Sequence, residues 1–75
     1  MSFEKVREVV VETINCSEDE VTMESSLVDD LGMDSLDAVE LVMALEEAFG
    51  ISIAEEKVAE FETIKDIVNY IDALQ

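Results

Sequence analysis

The stretch Asp34-Ser35-Leu36-Asp37 sets one hydroxyl among carboxylates and is the part of this chain best equipped for chemistry. A serine there can act as a nucleophile, accept a covalent group or cap a helix, and each use needs different neighbours. The nucleophile lacks a base, because the sequence has no His and no Gly-x-Ser-x-Gly elbow. Capping is the plain structural use, since Ser and Asp at a helix start most often accept from the first free backbone amides. A calcium loop fails on spacing: counting back from Gly32 as position six puts Leu27, Asp29 and Leu31 where acids belong. The paired acids Asp29/Asp30 and Glu46/Glu47 read as a solvated face that attracts divalent cations weakly, with no specific metal site. Cys16 has no cationic neighbour to lower its pKa and reads as a small core residue.

The elements that must position this serine follow from apolar spacing. Phe3, Val6, Val10 and Ile14, flanked by Val9, predict an amphipathic helix over 3–15 capped by Ser2. From Ser17 to Met33 the pattern dissolves into a long loop of about 17 residues. It is expected to hold a short helical turn and to be pinned by Val21, Leu27, Val28 and Leu31, with Gly32 freeing the backbone at its end. Residues 35–49 make the strongest helix, with Asp34 as a possible N-cap, Asp37 in the first turn and Gly50 past the end. Ser52 with Glu55 predicts a capping box for a short third helix reaching about Phe61. Thr63 with Asp66 starts a last one, lined on one side by Ile64, Ile67, Val68, Ile71 and Leu74. No segment alternates long enough for a strand. The expected fold is an all-α four-helix bundle with three main helices, one short helix and a long loop between the first two, as a single domain over 1–75.

On the second main helix, Ala38, Leu41, Val42, Leu45, Ala48 and Phe49 collect on one face at 100° per residue. Leu36, Val39 and Met43 gather on the opposite side, where a simple amphipathic helix is polar. Three readings stand: scattered exposure without a role, cover by the long loop, or a docking strip rimmed by Asp37, Glu40, Glu46 and Glu47 that fits a partner groove with a basic edge.

Net charge narrows the partners. Twenty acids against four bases give −16 in 75 residues, alongside an apolar fraction of 49% that is ample for a core. Such a surface repels nucleic acid and anionic lipid and attracts proteins with Lys/Arg patches. No apolar run approaches the roughly 20 residues of a membrane span, and the first residues lack a signal-type apolar stretch. A monomer in the cytoplasm is expected.

Asp34-Ser35-Leu36-Asp37 followed by Val39-Glu40-Leu41-Val42-Met43-Ala44-Leu45-Glu46-Glu47 resembles the bacterial acyl carrier proteins of type II fatty acid synthesis. The resemblance spans the chain, from the Leu31-Gly32 lead-in through Phe49–Ile53 to the closing helix from Thr63-Ile64 to Tyr70-Ile71. Met33 where a small residue is frequent, Ala54 where Pro is often found, and Cys16 depart from it. The resemblance implies that Ser35 carries 4′-phosphopantetheine, attached by a separate phosphopantetheinyl transferase that uses coenzyme A. It implies that acyl groups ride on that arm as thioesters between fatty acid synthesis enzymes, and that the chain is not itself an enzyme. It also implies that Asp34 helps engage the transferase, and that the helix after Ser35 is what partners recognise.

An acyl chain left in water is costly, at about 0.8 kcal/mol per CH₂, so sequestration is expected. The cavity is placed between the second helix and the last two, near Val42, Leu45, Val58, Phe61 and Ile67. A carrier for another pathway, such as polyketide or D-alanine transfer, is the alternative within the same fold. From a different class, an acidic interaction domain with Ser35 as a mere cap also fits the residues.

Overall fold

The computed structural model describes residues 2–74; Met1 and Gln75, the ends of the expected 1–75 domain, lie outside the described residues. Four α-helices follow in order, α1 (Phe3–Ile14), α2 (Ser35–Phe49), α3 (Glu55–Glu60) and α4 (Ile64–Leu74), with a 3-10 turn at Glu18–Glu20 inside the long loop. The expected all-α bundle of three main helices and one short one is what forms. A Cα radius of gyration of 10.9 Å is close to the roughly 11 Å of a compact chain this long, so burial outweighs the repulsion of the net charge.

Helical spacing selects the core. Val6 and Val10 from α1, Leu41 and Leu45 from α2, and Ile64, Ile67, Val68 and Ile71 from α4 are buried together, and α1 packs against both α2 and α4. The long loop adds Val21, Leu27 and Met33, and the α2–α3 connection adds Ile53. Short helix α3 has no buried residue and rests on the half-buried Val58 and the following Phe61.

Several local expectations are corrected. Ser2 does not cap α1 with its side chain; its amide donates to Asp72 Oδ1 at 3.0 Å and its hydroxyl donates to the same atom, because a carboxylate across the bundle outcompetes a backbone partner. Helix α1 stops at Ile14, where Asn15 turns left-handed at φ 56°. The Ser52/Glu55 capping box does not form. Burial of Ile53 and a bond from its amide to Glu46 Oε2 at 2.8 Å hold this segment extended, so Ala54 becomes the cap and Glu55 the first helical residue. Helix α3 then ends at Glu60, leaving Phe61 just beyond it. Val28 is 67% exposed and lies outside the core, while Met33 is buried in it. Leu74, the last residue of α4, is half exposed rather than in its buried apolar line.

The loop is tied down by contacts with no local signature. The Leu27 amide donates to Glu62 O at 2.9 Å, Ile64 N–H to Ser25 O at 3.1 Å and Lys65 N–H to Met23 O at 2.9 Å, around an isolated antiparallel bridge between Ser26 and Thr63. Ser25, itself buried, donates its hydroxyl to Glu20 O at 2.9 Å. These bonds satisfy backbone groups that a loop folded over the core would otherwise leave unpaired.

Candidate functional site

Ser35 owes its position to the turn before it. Met33 N–H donates to Leu27 O at 2.9 Å and Gly32 N–H to Val28 O at 3.0 Å, while Gly32 adopts φ 65°, which suits a residue without Cβ. This curl buries Met33 and brings Asp34 out, extended, at the head of α2. There Asp34 Oδ1 accepts from Asp37 N at 2.9 Å, and Asp37 Oδ2 accepts from Asp34 N at 3.4 Å. The two acids close a reciprocal capping box. The cap is therefore Asp34, and Ser35 is an exposed first residue of α2 whose hydroxyl is not the one that closes the helix. Amides at that end point outwards with positive potential, which favours an anion by about 0.3–1 kcal/mol at an exposed terminus.

Ser35 and Asp34 stand on the rim of a pocket of about 620 Å³. Its walls come from Ala38, Leu41, Val42 and Leu45 of α2, Val58 and Ala59 of α3, Phe61, Ile67 of α4, and Leu27, Val28 and Met33 of the loop. All five residues expected to form a cavity (Val42, Leu45, Val58, Phe61 and Ile67) line it. Phe61 is held edge-on against Tyr70, with ring centroids 5.6 Å apart, which stiffens that wall. Among the described residues, Asp34 and Glu55 are the charged side chains that line it, beside the Ser35 hydroxyl. Leu27 and Val28, read from the sequence as residues pinning the loop, and Met33 were not expected in the cavity, because the folding of the loop onto Glu62 and back on itself brings them here; Ala38 and Leu41 were assigned to the core face of the same helix, and that assignment was their signal.

The outer face of α2 is bare. Leu36, Val39 and Met43 are 66%, 55% and 63% exposed, so the loop does not cover them. Around them Glu40 and Glu47 are exposed and Asp37 is half-buried in its cap. Glu46 differs from the other rim acids: it turns to brace the Ile53 amide and lines, with Val39, Val42, Met43, Ile53, Glu55 and Val58, a second groove of about 360 Å³. Helix α2 carries four acids and no base. The cations lie elsewhere, with Arg7 paired to Glu18 at 3.3 Å, Lys57 to Glu60 at 3.7 Å and Lys5 over the Phe49 ring at 4.9 Å.

Among the described residues no group of three or more His, Cys, Asp or Glu is placed to hold a metal. Asp30 instead accepts from Ser26 N within its own turn. Burial, with help from Glu20, pushes the Cys16 thiol up from its ordinary value, which leaves it protonated and a poor nucleophile. Bonds from the Glu62 and Thr63 amides and the Thr63 hydroxyl, aided by Lys65, hold the Asp66 carboxyl below the usual range. No helix is long and apolar enough to cross a membrane among the described residues.

Comparison with known proteins covers nearly the whole chain. The family model for the phosphopantetheine attachment site matches residues 4–71. An acyl carrier protein of Campylobacter fetus subsp. fetus is 51% identical over 73 residues, covering 97% of this chain and 95% of that one. One of Campylobacter hominis is 53% identical over 72 residues, covering 96% and 91%. A solved Mycobacterium tuberculosis structure, assigned as an acyl carrier protein, superposes with a TM-score of 0.92 over the full length of both chains at 25% identity.

Proposed function

As the chain belongs to the acyl carrier protein family with its phosphopantetheine attachment domain, we propose that it carries acyl groups for fatty acid synthesis on an arm esterified to Ser35. The observation that carries this reading is an exposed hydroxyl, free of capping duty, on the rim of an apolar pocket. The arm, when attached, supplies a thiol on which acyl groups are held as thioesters. The chain's own residues do the rest. Ser35 offers the oxygen, and the first amides of α2 favour the phosphodiester charge. Asp34 and Asp37 hold that helix end in place, and Asp34 faces the transferase as it arrives.

The pocket gives the cargo its class. Walls of Val, Leu, Ile, Ala and Phe favour an aliphatic chain and offer a charged aminoacyl group little, which sets fatty acid synthesis ahead of D-alanine transfer. Partners dock on the Leu36/Val39/Met43 strip through grooves edged with Lys and Arg, because α2 presents acids without a base. On this reading the protein is a cytoplasmic monomer that turns nothing over by itself.

The decisive experiment incubates the unmodified protein with coenzyme A and a broad-specificity phosphopantetheinyl transferase. A phosphopantetheinyl mass gain mapped to Ser35, and absent in Ser35→Ala, is the expected result. An unchanged mass for the native sequence, or a gain that survives Ser35→Ala, overturns the assignment.

A further inference from the structure

The docking strip contains an oxidisable atom. Met43 is 63% exposed and lines, with Val39, the groove that Glu46 and Glu55 edge, whereas Met33 is 6% exposed in the core and Met23 is half-buried against it. A thioether's reaction with peroxide follows its access to solvent, so the three internal methionines are graded in sensitivity by the fold. The grading puts the most vulnerable sulfur where it bears on function. Eight residues beyond Ser35, at 1.5 Å per residue, Met43 lies about 12 Å along α2 from the hydroxyl, within the footprint of any enzyme that covers both.

We propose that Met43 is a modification site, at which conversion of the thioether to the sulfoxide by peroxide weakens docking of partner enzymes on α2. The step balances: sulfur takes one oxygen atom from hydrogen peroxide, is oxidised by two electrons, and the peroxide leaves as water. A sulfoxide is polar and needs a hydrogen-bond donor. The floor of a partner groove shaped for an apolar side chain supplies none, the Lys and Arg at its edge are engaged by the α2 acids, and α2 itself contributes carboxylates, which only accept. The fold is untouched because Met43 takes no part in the core. The change is reversible in principle by thiol-dependent sulfoxide reductases, which take the oxygen back to water while two thiols become a disulfide. Cys16 does not compete strongly for the oxidant, being half-buried against the core just past α1, where burial holds its thiol protonated.

This inference rests on the carrier reading, and its test separates the two. The unmodified protein is titrated with hydrogen peroxide, oxidation is placed by peptide mapping that resolves each Met, and the rate of transfer from coenzyme A by a phosphopantetheinyl transferase is measured before and after. Met43 is expected to oxidise well ahead of Met23 and Met33, with kcat/KM for transfer falling about fivefold or more and helical circular dichroism unchanged, the usual scale for losing one interfacial anchor. Met43→Leu, compared with its own untreated state, loses no rate on peroxide treatment. Met43→Gln, a polar side chain of similar length, reproduces the fall without oxidant, and sulfoxide reductase restores the treated native protein. Equal oxidation of Met33, a rate unaffected by oxidation of Met43, or loss of rate in treated Met43→Leu overturns the proposal. Failure of the untreated protein to gain the group overturns the carrier reading and, with it, the docking consequence, while the order of methionine oxidation remains a separate result.

Discussion

At the scale of residues, Asp34 and Ser35 divide two duties that the sequence left joined. The motif showed that a hydroxyl and an acid meet at a helix entrance, but either could have been the cap. Backbone geometry decides it, since Asp34 is extended and accepts from Asp37 N while Ser35 is already helical. Asp34→Ala should then cost about 1 kcal/mol of stability, the usual loss for a removed cap. For a domain this small that lowers Tm by about 4–8 °C in a thermal melt. Asp34→Asn, which still accepts from Asp37 N, should keep most of the stability while slowing transfer to Ser35 if the carboxylate charge itself engages the transferase. Equal Tm values for Asp34→Ala and the native protein would sink the capping assignment. Met33 shows the opposite limit of legibility: it looked like an ordinary loop residue beside the motif and is core.

At the scale of elements, the long helices were readable because each presents a periodic apolar face, and α3 was misread because its start depends on distant residues. Ser52 and Glu55 have the spacing of a capping box, yet Ile53 between them is drawn inward and Glu46 takes its amide from seven residues away. Helix α4 kept its predicted cap. Thr63 Oγ1 accepts from Asp66 N at 3.4 Å, and Asp66 accepts from the amides of Glu62 and Thr63. Because folding lowers the Asp66 pKa below its ordinary 3.8, its contribution is fully present above that value and is lost as pH falls through the lower folded one. The stability gap between native protein and Asp66→Asn should thus be widest near neutrality and close at strongly acid pH. Urea melts at several pH values check this, and a gap that widens on acidification would contradict it. The pocket between α2, α3 and α4 makes its own forecast. Octanoylated protein should show side-chain NMR shifts at Val42, Leu45, Val58, Phe61 and Ile67 relative to the unloaded form, and their absence would rule out an internal chain.

The whole molecule balances a small core against a net charge of −16. Composition announced both sides of that balance, and the radius of gyration shows which prevails. What composition could not show is where Arg7, Lys57 and Lys5 settle, the first two paired with Glu18 and Glu60 and the third over the Phe49 ring at the end of α2; such contacts are set by tertiary packing. Screening should relieve the remaining repulsion, so Tm should climb as sodium chloride rises from about 0.01 to 0.1 M, where the Debye length shortens from about 30 to 10 Å. A flat or falling melting curve over that range would argue that the acids do not strain the fold. The capping box has a further consequence for the working life of such a protein. With the α2 terminus closed by a neighbour's carboxylate, esterification or its reversal at Ser35 need disturb no bond that maintains the helix. On the carrier reading, changes at the Ser35 oxygen leave the scaffold's own fastening intact, and Asp34 is the one residue through which loading and helix stability are linked.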